Sequence, residues 1–140
     1  MNAFRKPRRK AVVRNLIAEL DPLNDAFRHH VLYGEEDGDR GGHAFSSTRI
    51  GKTVFPERWS EEEIFNAALF VLENPIVFKQ LGDRAWLIAI YDEVVVEVRL
   101  GISSRGYQLK TAFPHSGEGV FRNTAYGREP LPLDKSILEA

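Results

Sequence analysis

The stretch "AWLIAIYDEVVVEVRL", residues 85–100, decides the fold of this chain. It consists of two short apolar runs separated by residues 91–93, a gap that suits a hairpin turn. The side chains of the second run alternate between two faces, with Val94, Val96, Val98 and Leu100 on one and Val95, Glu97 and Arg99 on the other. The stretch therefore predicts two antiparallel strands.

The chain after residue 100 predicts a third strand and then a tail. "GISSRG", residues 101–106, has turn composition, and "YQLKTAF", residues 107–113, alternates again. The predicted strand carries Leu109, Thr111 and Phe113 on one face and Lys110 on the other. We expect Pro114 to end this strand. Residues 115–140 are rich in glycine and proline, which predicts an extended tail with one short turn at residues 135–138.

The segment before the hairpin predicts a capped helix. In "WSEEEIF", residues 59–65, Ser60 is a typical N-cap and Glu63 completes a capping box. The predicted buried face holds Ile64, Ala68, Leu69 and Leu72. Asn74 and Pro75 end the helix, because proline cannot continue it.

The N-terminal part predicts two further helices and a loop. The first helix carries an apolar stripe of Val13, Leu16, Ile17 and Leu20 at helical spacing. The second has Asp21 as its N-cap, Pro22 at its first position and Gly34 at its end. Residues 35–42 have turn chemistry and no periodicity, so they predict a loop.

These elements predict an α+β fold, in which N-terminal helices and one capped helix pack on an antiparallel β-meander. The length of 140 residues fits one domain, which we predict at residues 1–114 with a basic arm at residues 1–10, followed by a C-terminal extension at residues 115–140. The absence of cysteine excludes disulfides, thiolate nucleophiles and cysteine-ligated zinc. The apolar runs are too short to cross a bilayer, so no membrane partner is expected. The net charge of −1 does not indicate a nucleic-acid binder, although the basic arm hints at a polyanionic ligand.

Two histidines and a lysine form the candidate catalytic group. His30 and His43 are 13 residues apart with a glycine-rich loop between them, and Lys52 follows in "GKT". A neutral imidazole can take the proton of a ribose 2′-hydroxyl, and a protonated one can give a proton to the leaving oxygen. The lysine can stabilise the charge that develops on phosphorus. Gly41 and Gly42 would let the backbone approach the phosphate and bind it through their amides. This set predicts cleavage of RNA without a metal.

Other interpretations stay open: His30 also fits a partly buried histidine that closes a short helix, and Lys52 fits a solvated surface lysine. His29 and His115 are typical of surface histidines, and Arg122 and Tyr126 in the tail are expected to lie away from the site. A metal site built from His30, His43 and the acids of residues 35–39 is a weaker hypothesis, because the acids are adjacent on a loop and lack helical i, i+4 spacing.

The order of these motifs resembles that of the EndoU family of endoribonucleases. "HVLYGEEDGDRGGHAF", residues 30–45, is similar to the family's histidine, hydrophobic pair, loop and Gly-Gly-His. "GKTVFPERWSEEEIFNAALFVLENP", residues 51–75, is similar to its Gly-Lys-Thr segment and long helix. "YQLKTAFP", residues 107–114, resembles its closing strand, which ends in Thr-x-Tyr-Pro. The resemblance covers about residues 28–114 and extends to the coronavirus uridylate-specific endoribonuclease.

The resemblance implies a fold of the barnase-EndoU-colicin-RelE type, similar also to RNase A, and an activity. Its catalytic residues fall on His30, His43 and Lys52, with His43 as the general base and His30 as the acid. The implied reaction is transesterification of single-stranded RNA, which leaves a 2′,3′-cyclic phosphate and a 5′-hydroxyl end. The implied substrate-binding residues are Gly42, Thr53, Thr111 and Phe113, and Thr111 carries the expected preference for uridine. No cofactor is required, although the resemblance allows stimulation by Mn²⁺.

Two positions depart from the family pattern. Phe113 stands where the family has tyrosine, so the stacking surface is kept and the hydroxyl is lost. Pro56 stands where some members have a serine for uracil recognition, and Thr53 or residues 46–48 are the candidates to replace it. The rival hypothesis is therefore a catalytically weak or inactive RNA-binding module on the same fold.

The family also suggests a biological setting. Bacterial EndoU domains are often toxic C-terminal ends of larger secreted proteins, and dedicated immunity proteins neutralise them. The resemblance thus implies a site of action in the cytoplasm, with delivery as a secreted toxin if the chain belongs to a larger protein. It implies RNA and an immunity or inhibitor protein as partners. The expected oligomeric state is a monomer or weak dimer.

Overall fold

The computed structural model describes residues 24–35 and 40–139. Its helices are α1 (Asp25–Tyr33) and α2 (Glu61–Glu73), followed near the C-terminus by a 3₁₀ helix (Ser136–Glu139). Its strands are β1 (Thr53–Val54), β2 (Val77–Leu81), β3 (Arg84–Tyr91), β4 (Val94–Ser103), β5 (Gly106–Gly117), β6 (Phe121–Thr124) and β7 (Gly127–Pro130). The predicted α+β class is confirmed, since two helices pack on antiparallel sheets. The predicted helix at residues 13–20 and the basic arm lie outside the described residues.

The strands form two antiparallel sheets. One has the order β2-β3-β4-β5, and the other has the order β1-β6-β7. The predicted hairpin is confirmed, because Tyr91 pairs with Val94 across a turn made by Asp92 and Glu93 alone. Both turn residues have positive φ, 48° and 60°, as the tight two-residue hairpin turn requires. Strand β2 was not predicted from the sequence.

Helix α2 covers one face of the larger sheet. Its predicted cap is confirmed, because the Ser60 hydroxyl accepts from the Glu63 amide at 3.1 Å, and the helix ends at Asn74. Its buried residues are Ile64, Phe65, Ala67, Ala68, Val71 and Leu72, while Leu69 is only partly buried. They pack on the face of β4 that carries Val94, Val96, Val98 and Leu100, as the alternation predicted. The other face of β4 is therefore left for a site.

Helix α1 begins later than predicted. Its N-cap is Asn24, whose side chain accepts from the Phe27 amide at 2.9 Å. The proposed cap Asp21 is therefore wrong, and it lies with Pro22 outside the described residues. Gly34 ends the helix as predicted, with φ at 78°.

Strand β5 continues through Pro114, where the sequence predicted its end. Val96 pairs with Pro114 and Val95 with Ser116, so His115 is an extra residue in β5. A second extra residue is Lys110, between the partners of Arg99 and Leu100. Each extra residue shifts the side-chain alternation by one position. Leu109 therefore packs on the core while Thr111 and Phe113 face the opposite side, and the predicted shared face of these three residues is wrong.

The extended tail is likewise a wrong prediction. Strands β6 and β7 pair with each other, and β6 pairs with β1 through Thr53 and Arg122. The sequence hid these strands because they are four residues each and lack a long alternating pattern. The predicted terminal turn is confirmed by the 3₁₀ helix, which packs Ile137 and Leu138 against the larger sheet. The predicted domain end at residue 114 falls inside β5.

Candidate active site

A cleft of about 1060 Å³ opens where the outer face of β4 and β5 meets the end of α1 and the start of β1. Six of the seven predicted site residues line it, namely His30, His43, Lys52, Thr53, Thr111 and Phe113. Gly42 does not line the cleft, whereas its neighbour Gly41 does. We call the part formed by His30, His43, Lys52 and Thr53 the loop half. The part formed by Trp86, Arg99, Thr111 and His115, together with the buried Glu97 that binds Arg99 and His115, is the sheet half.

The loop half is assembled by the C-terminal end of α1. The last carbonyl groups of an α-helix lack partners within the helix and need donors from elsewhere. Here the Gly42 amide donates to the His30 carbonyl at 3.1 Å, and the His43 amide donates to the Val31 carbonyl at 2.7 Å. The Ala44 amide donates to the Leu32 carbonyl in the same way. This ladder fixes the backbone of His43 against the helix turn that carries His30.

The glycine pair permits this close approach. Gly41 has φ at +67°, and a Cβ added there would lie 2.0 Å from the His30 carbonyl oxygen. Gly42 has φ at +82°, and its Cβ would meet the Arg49 side chain at 2.8 Å. The Gly42 amide donates to His30 in this structure, and its use as a phosphate donor stays a prediction. The glycines serve the packing of the loop on the helix.

His43 is buried with a defined proton arrangement. Its Nδ1 lies 2.7 Å from the Thr53 carbonyl oxygen, which can only accept, so Nδ1 carries the hydrogen and Nε2 carries the lone pair. Burial lowers the pKa of His43 from its ordinary value of 6.5 to about 4, against the opposing effect of the bond to Thr53. The positive charges of Lys52 and His30 lower the pKa of His43 further. His43 is therefore neutral at neutral pH.

His30 and Lys52 are held by other neighbours. The Nδ1 of His30 donates to the Glu35 carboxylate at 2.9 Å, so Nε2 is the nitrogen left for other partners. Lys52 lies in a turn that Asn123 fastens from the second sheet, through the Lys52 carbonyl at 2.9 Å and the Gly51 amide at 2.7 Å. The C-terminal part of the chain thus positions a candidate catalytic residue.

Arg122 in β6 lines the cleft, contrary to expectation, because its strand pairs with Thr53. Tyr126 is fully exposed in the turn after β6, as expected. Residues 46–48 and Thr53 were the candidates to replace the serine with which some family members recognise uracil. Ser46 and Thr48 are exposed and do not line the cleft, whereas Thr53 does.

The sheet half contains a buried carboxylate. Glu97 is only 3% exposed, and its two oxygens accept from Nε2 of His115 at 2.7 Å and from Nε of Arg99. Burial alone would raise the pKa of Glu97, but the hydrogen bonds from His115 and Arg99 outweigh it and lower the pKa. Glu97 is therefore an ionised anchor for two groups at the cleft.

His115 was wrongly predicted to be a surface histidine, since it lines the cleft. One signal in the sequence was usable, because the alternation of β4 already placed Glu97 and Arg99 on the face away from the core. The predicted end of β5 at Pro114 kept His115 off that face.

Phe113 stands between the two halves. Its ring centroid lies 5.6 Å from that of His43 and 5.1 Å from that of His115, and the Arg99 guanidinium lies 5.0 Å above the ring. The hydroxyls of Thr53 and Thr111 are buried, and neither has a hydrogen-bond partner among the described residues. They are buried polar atoms of two residues that line the cleft.

The cleft is more basic than the chain as a whole. The described cationic side chains that line it are Arg40, Lys52, Arg84, Arg99, Lys110 and Arg122. The lining carboxylates in the same ranges are Glu35 and Asp83. A cleft lined by one sign of charge concentrates ligands of the opposite sign, even when the net charge is −1. The cleft therefore suits a polyanion.

Comparisons with known proteins add no family: no family model, curated protein or solved structure matches the chain. Over residues 24–35 and 40–139, no three His, Asp or Glu side chains are grouped so that they could hold a metal ion. Of the acids in the metal hypothesis, Glu35 bonds to His30, and residues 36–39 lie outside the described part. No helix of that part is long and apolar enough to cross a membrane.

Proposed function

We propose that this chain is an endoribonuclease that cleaves single-stranded RNA by transesterification, on a fold of the barnase-EndoU-colicin-RelE type. The observation that carries the proposal is the state of His43, a neutral imidazole whose Nδ1 is fixed by Thr53 and whose Nε2 has a lone pair. His43 lines the same cleft as His30 and Lys52, and the charge of that cleft suits RNA. A base, an acid and a cation at one phosphate are the groups that the reaction needs.

In this reaction the 2′-oxygen attacks the adjacent phosphorus while Nε2 of His43 takes the 2′-hydroxyl proton. The bond from phosphorus to the 5′-oxygen breaks, and His30 gives that oxygen a proton. Lys52 stabilises the negative charge that develops on the phosphoryl oxygens. The products are a 2′,3′-cyclic phosphate and a 5′-hydroxyl end. A bound phosphate also raises the pKa of His43 above that of the free enzyme, because a nearby anion favours imidazolium.

Base preference is part of the proposal. Thr53 and Thr111 supply hydroxyls without a partner among the described residues, and uracil offers donors and acceptors on its edge. The ring of Phe113 already contacts His43, His115 and Arg99. A base that stacks on Phe113 therefore has to displace or share the Arg99 guanidinium. The proposed preference for uridine rests on the resemblance, in which Thr111 matches the family position that helps to recognise the base.

The test is cleavage of a uridine-containing RNA in EDTA, with the ends analysed for cyclic phosphate. We expect His43→Ala and Lys52→Ala to lower the cleavage rate by roughly 10²- to 10⁴-fold, the usual contribution of a positioned base or a charge-stabilising group. Arg105→Ala is the matched control, because it removes a positive charge from an exposed turn outside the cleft. Cleavage at the wild-type rate by the His43 variant would overturn the assignment.

A second candidate function is RNA binding without cleavage. The pKa of His43 at about 4 favours it, because a weakly basic imidazole is a poor proton acceptor. The same assay separates the two functions. A binding module would retain RNA with salt-dependent affinity and leave every strand intact.

The wider biological proposals come from the resemblance alone. They comprise a role as a toxin, delivery by secretion with a cytoplasmic site of action, an immunity protein as partner, and a monomer or weak dimer. The lining carboxylates do not form a donor set for Mn²⁺, since Glu35 is engaged by His30, and no step is assigned to that ion.

A further inference from the structure

A row of side chains crosses the larger sheet and leads away from His43. In the strand register Trp86 of β3 is opposite Arg99 of β4, and Arg99 is opposite Thr111 of β5. On the far side Lys79 of β2 is opposite Trp86. Trp86, Arg99 and Thr111 all line the cleft that holds the proposed catalytic group. The row therefore continues the cleft across the outer face of the sheet.

Arg99 is held in place within this row. Its Nε donates to the buried Glu97 carboxylate, while its guanidinium also lies over the Phe113 ring. An arginine with two fixed partners loses less conformational freedom when it binds an anion. Arg84 and Lys110 also line the cleft, and Asp83 lies 4.0 Å from Arg84. With Glu97 and Asp83 counted against these three cations, the surface keeps one net positive charge, and Arg99 is oriented before a ligand binds.

The two ends of the outer face differ. At one end Leu133, Ile137 and Leu138 of the C-terminal segment cover Val77, Ile88 and Val95. At the other end Trp86 stays partly exposed at the wall of the cleft. An aromatic ring beside cations is the arrangement with which proteins bind single-stranded nucleic acid, because bases stack on the ring and phosphates meet the charges.

The geometry points to a subsite for the nucleotides that flank the scissile phosphate, in which Trp86 stacks on a base and Arg99 binds a phosphate. This inference deepens the proposed function, since its ligand is the same RNA. Thr111 and Trp86 are two strand spacings apart, about 10 Å. That distance accommodates roughly two or three stacked nucleotides at about 3.4 Å each. The enzyme therefore binds an oligonucleotide, and a dinucleotide fills only part of its site.

The experiment uses 2′-O-methyl hexauridylate, which cannot be cleaved by this chemistry, and the matching dinucleotide. The chain has two tryptophans, Trp59 and Trp86. Because Trp59 is buried, a change in tryptophan emission on binding reports on Trp86. We expect the hexamer to quench emission in the wild type but not in Trp86→Phe. We expect Trp86→Ala to weaken hexamer binding by about 5- to 100-fold, as for loss of one base–aromatic stack.

Arg99→Ala tests the phosphate contact, with Arg105→Ala as the charge-matched control. Loss of one phosphate contact on single-stranded RNA lowers the slope of log affinity against log salt by about 0.7, and the control leaves the slope unchanged. If Arg99→Ala does not fold, the emission of Trp86 in the wild type with the hexamer tests the subsite instead. Equal affinity of wild type for dinucleotide and hexamer, or hexamer binding without a change in Trp86 emission, overturns the inference.

The readout also separates this inference from the proposed activity. Hexamer binding at Trp86 by a chain that leaves RNA intact rejects the nuclease and keeps the subsite. Cleavage of RNA by a chain whose Trp86 emission does not respond to the hexamer keeps the nuclease and rejects the subsite.

Discussion

Two imidazoles contact Phe113, and their hydrogen-bond partners differ in kind. In the loop half, Nδ1 of His43 donates to the backbone carbonyl of Thr53, which has no charge and does not titrate. In the sheet half, Nε2 of His115 donates to Glu97, a buried carboxylate shared with Arg99. A neutral acceptor leaves His43 without a counter-charge, whereas Glu97 joins His115 to an ionic network.

This difference assigns different tasks to the two halves. A neutral imidazole with a lone pair suits proton transfer, because it can accept a proton without first losing one. A carboxylate with two donors fixed on it suits the placement of those donors, because both are oriented before a ligand arrives. The loop half is therefore the candidate for chemistry, and the sheet half is the candidate for holding the RNA chain.

The pH dependence of cleavage gives the largest expected effect. The acid limb of kcat/KM reports the pKa of the base in the free enzyme, and His43 has a pKa of about 4. We expect the acid limb near pH 4, whereas a base with the ordinary pKa of about 6.5 would cost roughly 100-fold in rate at pH 4.5. Rates of RNA cleavage between pH 4 and 8 measure this limb. An acid limb centred near pH 6.5 would contradict the assignment of His43 as the base. His29→Ala, on the exposed side of α1, is the matched histidine control.

The pH dependence of stability gives the next effect. The pKa of His43 is lower in the folded chain than in the unfolded chain, so between pH 6.5 and pH 4 the unfolded chain binds more protons. The contribution of neutral His43 is complete above pH 6.5 and is lost as pH falls towards 4, a loss of about 3 kcal/mol. Urea unfolding at pH 7 and pH 4 should show this loss in the wild type and not in His43→Gln. The acid-side contribution of Glu97 is common to both proteins and cancels in the comparison.

The two halves also differ in how far the sequence predicts them. His30, His43 and Lys52 lie close together in the chain with glycines between them, so local spacing made them candidates, and all three line the cleft. His115 depends on the register of β4 and β5, which the sequence does not specify once extra residues occur. Pro114 seemed to end β5 because proline lacks an amide donor, but proline is tolerated at an irregularity such as the one at His115. Strand β6, which carries Arg122 and Asn123, and strand β7 are too short to show an alternating pattern in the sequence.

A comparison of substitutions at Gly41 and Gly51 tests how the loop half is assembled. Gly41 and Gly51 both have positive φ, +67° and +86°, but an added Cβ meets the His30 carbonyl only at Gly41 and nothing within 4 Å at Gly51. Gly51→Ala should cost about 1–2 kcal/mol from backbone strain alone. Gly41→Ala should cost about 2 kcal/mol more, because the clash separates the loop from the carbonyls of α1 and their hydrogen bonds are lost. Chemical unfolding of both variants measures the difference, and equal costs would mean that the close approach at His30 does not stabilise the fold.

The smallest expected effect on stability comes from Glu97→Gln, which removes the negative charge of this side chain and keeps its shape. Removal of one member of a fully buried ion pair usually costs 3–5 kcal/mol. Here Arg99 is about half exposed and can turn towards water, so we expect a cost of about 1 kcal/mol, with the exposed Glu57→Gln as the control. The sharper readout is the histidine NMR spectrum, in which His115 loses its carboxylate partner while the bond from His43 to Thr53 remains. If the His43 signals moved as much as those of His115, Phe113 would couple the two imidazoles, and the halves would act as one site.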